Sequence, residues 1–304
     1  MKRILIGFIL SIVSSIALSW PTKPITVVVP YTPGGTLDIM ARSLAPELSE
    51  ALKKPVTIKN MPGASNMVAV NSILTSENDN HTIIFTQEEM LTSSIFTNQK
   101  SHEQFVPLNI IATSAYVFYT GKKNFTVNDF LAEAKAGKSI TMATGGPYST
   151  QELWKRSFVS NFNITTVPFK GMSLITQAVL GGHIEYHAVS AIPIQQMIAN
   201  KQVTPLMVLT EKRLPHFPDV QTYLELGFGG PPAPLVWFGA HIRKDSDKDA
   251  IQQLSDTFQK VVASNTTIRY NGLDIINLSG KQALQFYQKE VARLEGLKSK
   301  ISFD

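Results

Sequence analysis

Short apolar runs alternate with stretches of helical periodicity along most of the chain. Ile25 to Pro30 is a continuous, largely β-branched run, the pattern of a strand buried on both faces. Beyond Gly34 and Gly35, residues Leu37, Ala41, Leu44, Leu48 and Leu52 recur on one stripe and predict an amphipathic helix. Pro46 is expected to kink that helix, because it removes a backbone donor. Val56 to Ile58 and Thr82 to Phe85 read as the next two strands, with a helix near Met67 to Leu74 between them. Strand, helix, strand, helix, strand in this order predicts a parallel sheet with helices on both faces.

The alternation then restarts. Asn109 to Thr120 is one long β-like run, followed by a helix (Val127 to Ala136), a strand (Ile140 to Thr144) and a helix (Gln151 to Ser160). A strand (Thr165 to Phe169), a helix (Leu174 to Leu180) and two strands (Glu185 to Ser190, Leu206 to Thr210) complete this set. Gly227 to Pro232 has the composition of a linker, Leu235 to Ile242 returns as a strand, and Ala250 to Ala263 and Lys281 to Leu297 are helical. Two α/β units joined by long strands predict two lobes with a cleft between them. Residues 20–115 with 236–304 form the first lobe, and 116–235 the second.

The first nineteen residues change the picture of where this fold works. Lys2 and Arg3 precede an apolar stretch from Ile4 to Leu18, and Ala17-Leu18-Ser19 has small residues where a signal peptidase reads. The stretch is shorter than the roughly 20 apolar residues of a membrane span, so residues 1–19 are expected to be a signal peptide removed after Ser19. The chain has no cysteine, which excludes disulfides and a lipid-modified cysteine, and a soluble periplasmic product is expected. Losing Lys2 and Arg3 takes two charges off the formal net of +5, leaving a mildly basic surface without a basic cluster. Nucleic-acid binding is therefore not expected.

Ligands in open α/β sheets bind beyond the carboxyl ends of strands. That rule selects Tyr31-Thr32-Pro33-Gly34-Gly35-Thr36 in the first lobe and Thr144-Gly145-Gly146-Pro147-Tyr148-Ser149-Thr150 in the second. Both loops carry glycines and hydroxyls and lead into a helix, whose start offers free N–H groups and a positive dipole end to an anion. Tight turns alone would also use these glycines; their recurrence at equivalent places in both lobes favours a binding role. Asp38, in the first helical turn, reads more as a brace for the loop than as a direct contact. Neither loop has the Walker lysine pair or the full dinucleotide fingerprint. His183 and His187 would lie about 13 Å apart on a strand, too far for one metal, and there is no nucleophile elbow of a hydrolase. No metal, cofactor or catalytic residue is expected.

At this point the residues resemble a known family. Val28-Val29-Pro30-Tyr31-Thr32-Pro33-Gly34-Gly35, then Asp38 and Ala41-Arg42, resembles the start of the Bug family of periplasmic solute-binding proteins of tripartite tricarboxylate transporters. Asn60-Met61-Pro62-Gly63-Ala64, Asp79-Asn80-His81-Thr82, Val167-Pro168-Phe169-Lys170-Gly171, Leu180-Gly181-Gly182 and Arg213 to Leu226 extend the likeness over nearly the whole mature chain. The resemblance implies a two-lobed α/β Venus-flytrap fold with two crossover strands. It also implies capture of a small carboxylate (a di- or tricarboxylate, an aromatic acid or an acidic amino acid) and delivery to membrane permease subunits by a monomeric receptor that is not an enzyme. The ligand-binding residues it implies are Tyr31, Thr32, Gly34, Gly35, Thr36, Asp38, Gln87, Thr144, Gly145, Gly146, Tyr148, Ser149, Thr150 and Ser190. Tyr148 departs from a glycine common in the family. Gln87, Glu88 and Glu89 follow the third strand, and the two acids read either as surface residues or as partners for an amino group on the ligand. A periplasmic sensor feeding a two-component system is the alternative reading; a periplasmic enzyme is a weaker one.

Overall fold

In the computed structural model, which describes residues 20–159, 162–169, 171–228, 235–268 and 273–301, the apolar run becomes strand β1 (Ile25–Val29). It lies between β2 (Val56–Asn60) and β3 (Thr82–Gln87) and pairs with both in parallel. Helix α1 (Thr36–Leu52) crosses from β1 to β2 and buries Leu37, Met40, Ala41, Leu44, Leu48 and Leu52 against the sheet and its neighbours. It remains one helix across Pro46. Helix α2 (Met67–Thr75) makes the second crossover.

A helix without a sequence signature follows β3 directly. Every residue of α3 (Glu89–Phe96) is buried, so it has no polar face to generate a helical period. The long run read as one strand is divided at Ala115 into β4 (Phe105–Ser114) and β5 (Tyr116–Thr120), and the two halves belong to different sheets. The second sheet is built from β5, β6 (Ile140–Thr144), β7 (Ile164–Pro168), β8 (Tyr186–Ser190) and β9 (Thr204–Val208), in the order β7-β6-β8-β5-β9. Helices α4 (Val127–Lys135), α5 (Thr150–Phe158), α6 (Met172–Leu180) and α7 (Ala191–Ala199) connect them. Helix α7 also lies outside the elements that the sequence pattern predicts. Its Pro193 falls in the first turn, where the missing N–H has no carbonyl to reach anyway.

The chain returns to the first sheet as β10 (Val236–Arg243), inserted antiparallel between β3 and β4. Helix α8 (Lys248–Ser264), edge strand β11 (Asp274–Ser279) and helix α9 (Gly280–Lys298) complete that lobe, giving the order β11-β4-β10-β3-β1-β2. Both sheets are mixed rather than parallel: β10 and β11 run against the other strands of the first sheet, and β5 runs against the other strands of the second. The fold is α/β and two-lobed. The second lobe packs Phe118 between Tyr186, Phe130 and Trp154, with ring centroids 5.0–5.4 Å apart. The proposed leader, Lys170 and most of the 227–232 linker lie outside the described residues. Trp20 is described and packs on His81, with ring centroids 5.5 Å apart. Among the described residues no helix is long and apolar enough to cross a membrane.

Candidate functional site

The loop after β1 takes its shape from one carboxylate. Asp38 Oδ2 accepts from the Gly34 N–H at 2.9 Å and from Arg42 Nε at 3.0 Å, and Oδ1 accepts from Asn60 Nδ2 at 2.9 Å. Burial alone would raise the Asp38 carboxyl, but the hydrogen bonds from Arg42, Gly34 and Asn60 outweigh it and hold the group below the ordinary carboxylate range. The left-handed backbone needed to turn the loop falls at Gly34, with φ 84°. Gly35, at φ −77°, is the N-cap of α1 and brings no side chain to cap it. The N–H groups of Thr36, Leu37 and Asp38 have no carbonyl to reach within the helix. The positive end of a 17-residue helix thus opens into a cavity of about 290 Å³ between the lobes. That volume is at the small end of ligand pockets, which span roughly 300–1,000 Å³.

Of the residues singled out from the sequence, Tyr31, Thr32, Gly34, Gly35 and Thr36 line this cavity from the first loop. Gln87 at the end of β3, Gly145 after β6 and Ser190 at the end of β8 line it as well. Asp38 stands behind the loop as its brace. The rest of the second loop is engaged elsewhere. Thr144 Oγ1 accepts from the Gly146 N–H at 3.3 Å, and the Ser149 side chain caps α5. Thr150 Oγ1 donates to Glu88 at 2.9 Å, and Tyr148 packs on an apolar cluster made mostly of first-lobe residues, Met67 among them, together with Leu153 of its own lobe. Gly146 also approaches that lobe: a Cβ placed on it would stand 3.3 Å from Ser65 Oγ. The side chains of this loop thus hold its own shape, at Thr144 and Ser149, or reach toward the first lobe, at Thr150 and Tyr148, rather than face the cavity.

The far side of the cavity is formed by residues outside the two glycine-rich loops. Phe169, Met172, Ile175 and Val189 give it an apolar wall, and Gly171 brings the second lobe against Thr32. His187 lines it too; Nδ1 lies 2.9 Å from the Ala143 carbonyl, which can only accept, so Nδ1 carries the proton and Nε2 is an acceptor. Burial lowers its pKa to about 4, and the ring is neutral at pH 7. Glu88 and Glu89 are not surface residues: they are 1% and 7% exposed. Glu88 Oε1 accepts from Tyr116 at 2.8 Å and from Thr150, tying the end of β3 to the second lobe. Glu89 lines the cavity, with Oε2 accepting from Tyr31 at 2.6 Å. Among the described residues no cluster of three metal-ligating side chains exists.

Removal of the brace should be felt at the loop. Asp38→Ala leaves the Gly34 N–H without its acceptor and takes one of the two acceptors of Asn60 Nδ2, whose bond to the Tyr31 carbonyl remains, and a loss of about 1–3 kcal/mol of stability is expected. Thermal and urea melts check the size of that loss.

Known proteins share this fold and match most of this sequence. A family model described as the tripartite tricarboxylate transporter family receptor matches residues 40–303. A Cupriavidus necator protein, described as a UPF0065 protein in the gbd 5' region, is 30% identical over 253 residues, covering 80% of this chain and 76% of its own. Among solved structures, the periplasmic binding protein BugD superposes with a TM-score of 0.81 at 20% identity, over 92% of this chain and 98% of its own. An R. palustris protein solved with adipate superposes with a TM-score of 0.79 at 23% identity, over 93% and 99%.

Proposed function

We propose a function from one established premise: this chain belongs to the tripartite tricarboxylate transporter receptor family. It is a binding protein, not an enzyme. In our reading it is a periplasmic receptor that captures a small organic acid between its lobes and presents it, as a monomer, to membrane permease subunits. The carrying observation is the uncapped start of α1, opening with Gly34 and Gly35 into the interlobe cavity. Free N–H groups at a positive dipole end hold a carboxylate without a cationic side chain. The described lining has no lysine or arginine, which fits capture through the backbone. The adipate seen in an R. palustris protein of this fold supports a carboxylate as the ligand class.

A ligand that binds only the folded protein stabilises it by about 2.7 kcal/mol at a hundredfold excess over Kd. Melting against a panel of dicarboxylates, tricarboxylates, aromatic acids and acidic amino acids should therefore single out a stabilising acid. The same acid should reduce the radius of gyration in small-angle scattering. An unmoved melting temperature across the panel would count against the reading. Cleavage after Ser19 belongs to the same proposal; intact-mass measurement of the periplasmic fraction should find a chain beginning at Trp20.

A further inference from the structure

The cavity that receives an acid also presents acceptors that an acid cannot satisfy. Glu89 is the first residue of α3, and its position is enforced. Tyr31 Oη donates to Oε2, and Asn66 Nδ2 donates to Tyr31 Oη at 3.0 Å and to Oε2 at 3.4 Å. Burial, then the neighbouring Glu89 charge, pushes the Tyr31 phenol well above its ordinary range, so it remains a donor. Oε1 of Glu89 is turned toward Gly145 across the cleft, where a Cβ on that glycine would stand 3.1 Å away. It accepts no hydrogen bond among the described residues.

Asn66 makes the same demand independently. It is the N-cap of α2, in a left-handed conformation, yet its side chain does not cap the helix. The amide nitrogen faces Tyr31 and Glu89, which fixes the flip and leaves Oδ1 buried without a partner, on a residue 2% exposed that lines the cavity. A buried acceptor left unpaired is costly, and a ligand that supplies a donor removes that cost. Neutral His187 adds Nε2 as a further acceptor on the same lining.

We propose that Glu89, with Asn66 Oδ1 beside it, is a subsite for a positively charged nitrogen, so that the ligand carries an amino or similar cationic group together with its carboxylate. The two ends of the cavity are then chemically opposite. The start of α1 takes the carboxylate through backbone N–H groups, and Glu89 takes the nitrogen through a charge-assisted hydrogen bond. Burial already raises the Glu89 carboxyl against the donors Tyr31 and Asn66 that favour its charged form, so a plain dicarboxylate, whose second carboxylate would meet Glu89, binds only at the added cost of a proton uptake or of like-charge repulsion. This inference rests on the receptor reading above and narrows its ligand class.

Titration calorimetry with matched probes tests it: L-glutamate against glutarate, L-aspartate against succinate, and 4-aminobutyrate against butyrate. Putrescine serves as an amine without an acid. The wild-type protein should prefer the nitrogen-bearing member of at least one pair by about 10- to 100-fold, the value of a hydrogen bond to a charged group. Glu89→Gln keeps the side-chain volume and the Tyr31 contact, and should reduce that preference to less than about threefold. Equal binding within every pair overturns the nitrogen subsite and leaves the receptor reading standing. So does a preference that survives Glu89→Gln, because the nitrogen is then read elsewhere. Putrescine binding that Glu89→Gln abolishes, with no acid binding, supports the subsite and overturns carboxylate capture. No binding by any probe overturns both.

Discussion

Gly171→Ala should lower ligand affinity by more than tenfold while leaving most of the folding stability in place. Gly171 lies between β7 and α6 of the second lobe, and Thr32 lies on the first-lobe loop that faces the helix dipole. A Cβ on Gly171 would stand 2.9 Å from Thr32 Oγ1 and 3.3 Å from its Cγ2. Something must shift to relieve so close an approach; Thr32 is β-branched and stiff at χ1, with Oγ1 and Cγ2 both facing the new carbon, so the expected shift is a separation of the two lobes at this point. A second cost is local: at φ 143° a Cβ strains the backbone in any state of the cleft, by about 1–3 kcal/mol. The two costs separate in a double-mutant cycle with Thr32→Ala, which removes both atoms of the collision. Collision across the cleft predicts that affinity in the double variant recovers toward that of Thr32→Ala alone. Scattering should show Gly171→Ala failing to contract at ligand concentrations that contract the wild type. If the cycle is additive, backbone strain accounts for the loss and closure does not depend on this glycine.

What the sequence reveals of this site, and what it hides, follows from where the periodic signals end. The first half of the cavity was legible because β1 is a β-branched run and α1 an amphipathic stripe, and the turn between them must contain a left-handed residue, which Gly34 provides. Asp38 was legible for the same reason: a carboxylate in the first turn of a helix is placed by the dipole. The opposite wall was not. Helix α3 is buried on all sides, so Glu89 shows no helical period and its acid pair looks like loop surface until α3 and the second lobe close over it. His187 sits on a fully buried strand, where only the pairing of β8 with β5 and β6 fixes which way its ring points. The second loop shows the converse limit. Composition gave it the same weight as the first, but Ser149 caps a helix, Thr150 reaches Glu88 and Tyr148 packs on an apolar cluster made mostly of first-lobe residues. Donor-rich loops look alike in sequence; whether their donors face a cavity or a protein acceptor depends on the other lobe.

Glu88→Gln should make the protein more stable than the wild type at pH 8 and no more stable at pH 4.5. Glu88 is buried at the junction of β3 and α3, with Oε1 bonded to Tyr116 and Thr150 of the second lobe and Oε2 without a partner. Burial raises its pKa to about 7; hydrogen bonds from Tyr116 and Thr150 oppose the rise, and the nearby Glu89 charge adds to it. Because the folded-state pKa lies above the unfolded value of 4.5, the folded protein binds the extra proton between these two values. Stability from this group is therefore fully present below about pH 4.5 and declines as pH rises through about 7. A shift of this size corresponds to about 3 kcal/mol at most. Glutamine is neutral throughout and does not undergo that decline, so the difference between variant and wild type should grow from pH 4.5 to 7 and then level off. His187 and His241 have the opposite sign. Burial lowers them to about 4 and about 3, so their contribution is present above pH 6.5 and is lost as pH falls toward those values. They are common to both proteins and cancel in the difference. Urea melts of the pair at half-unit steps from pH 4.5 to 8 measure it directly. Parallel stability curves would mean that Glu88 is ionised at no cost in the folded protein, and that its two hydroxyl donors fully replace the water removed when the lobes meet.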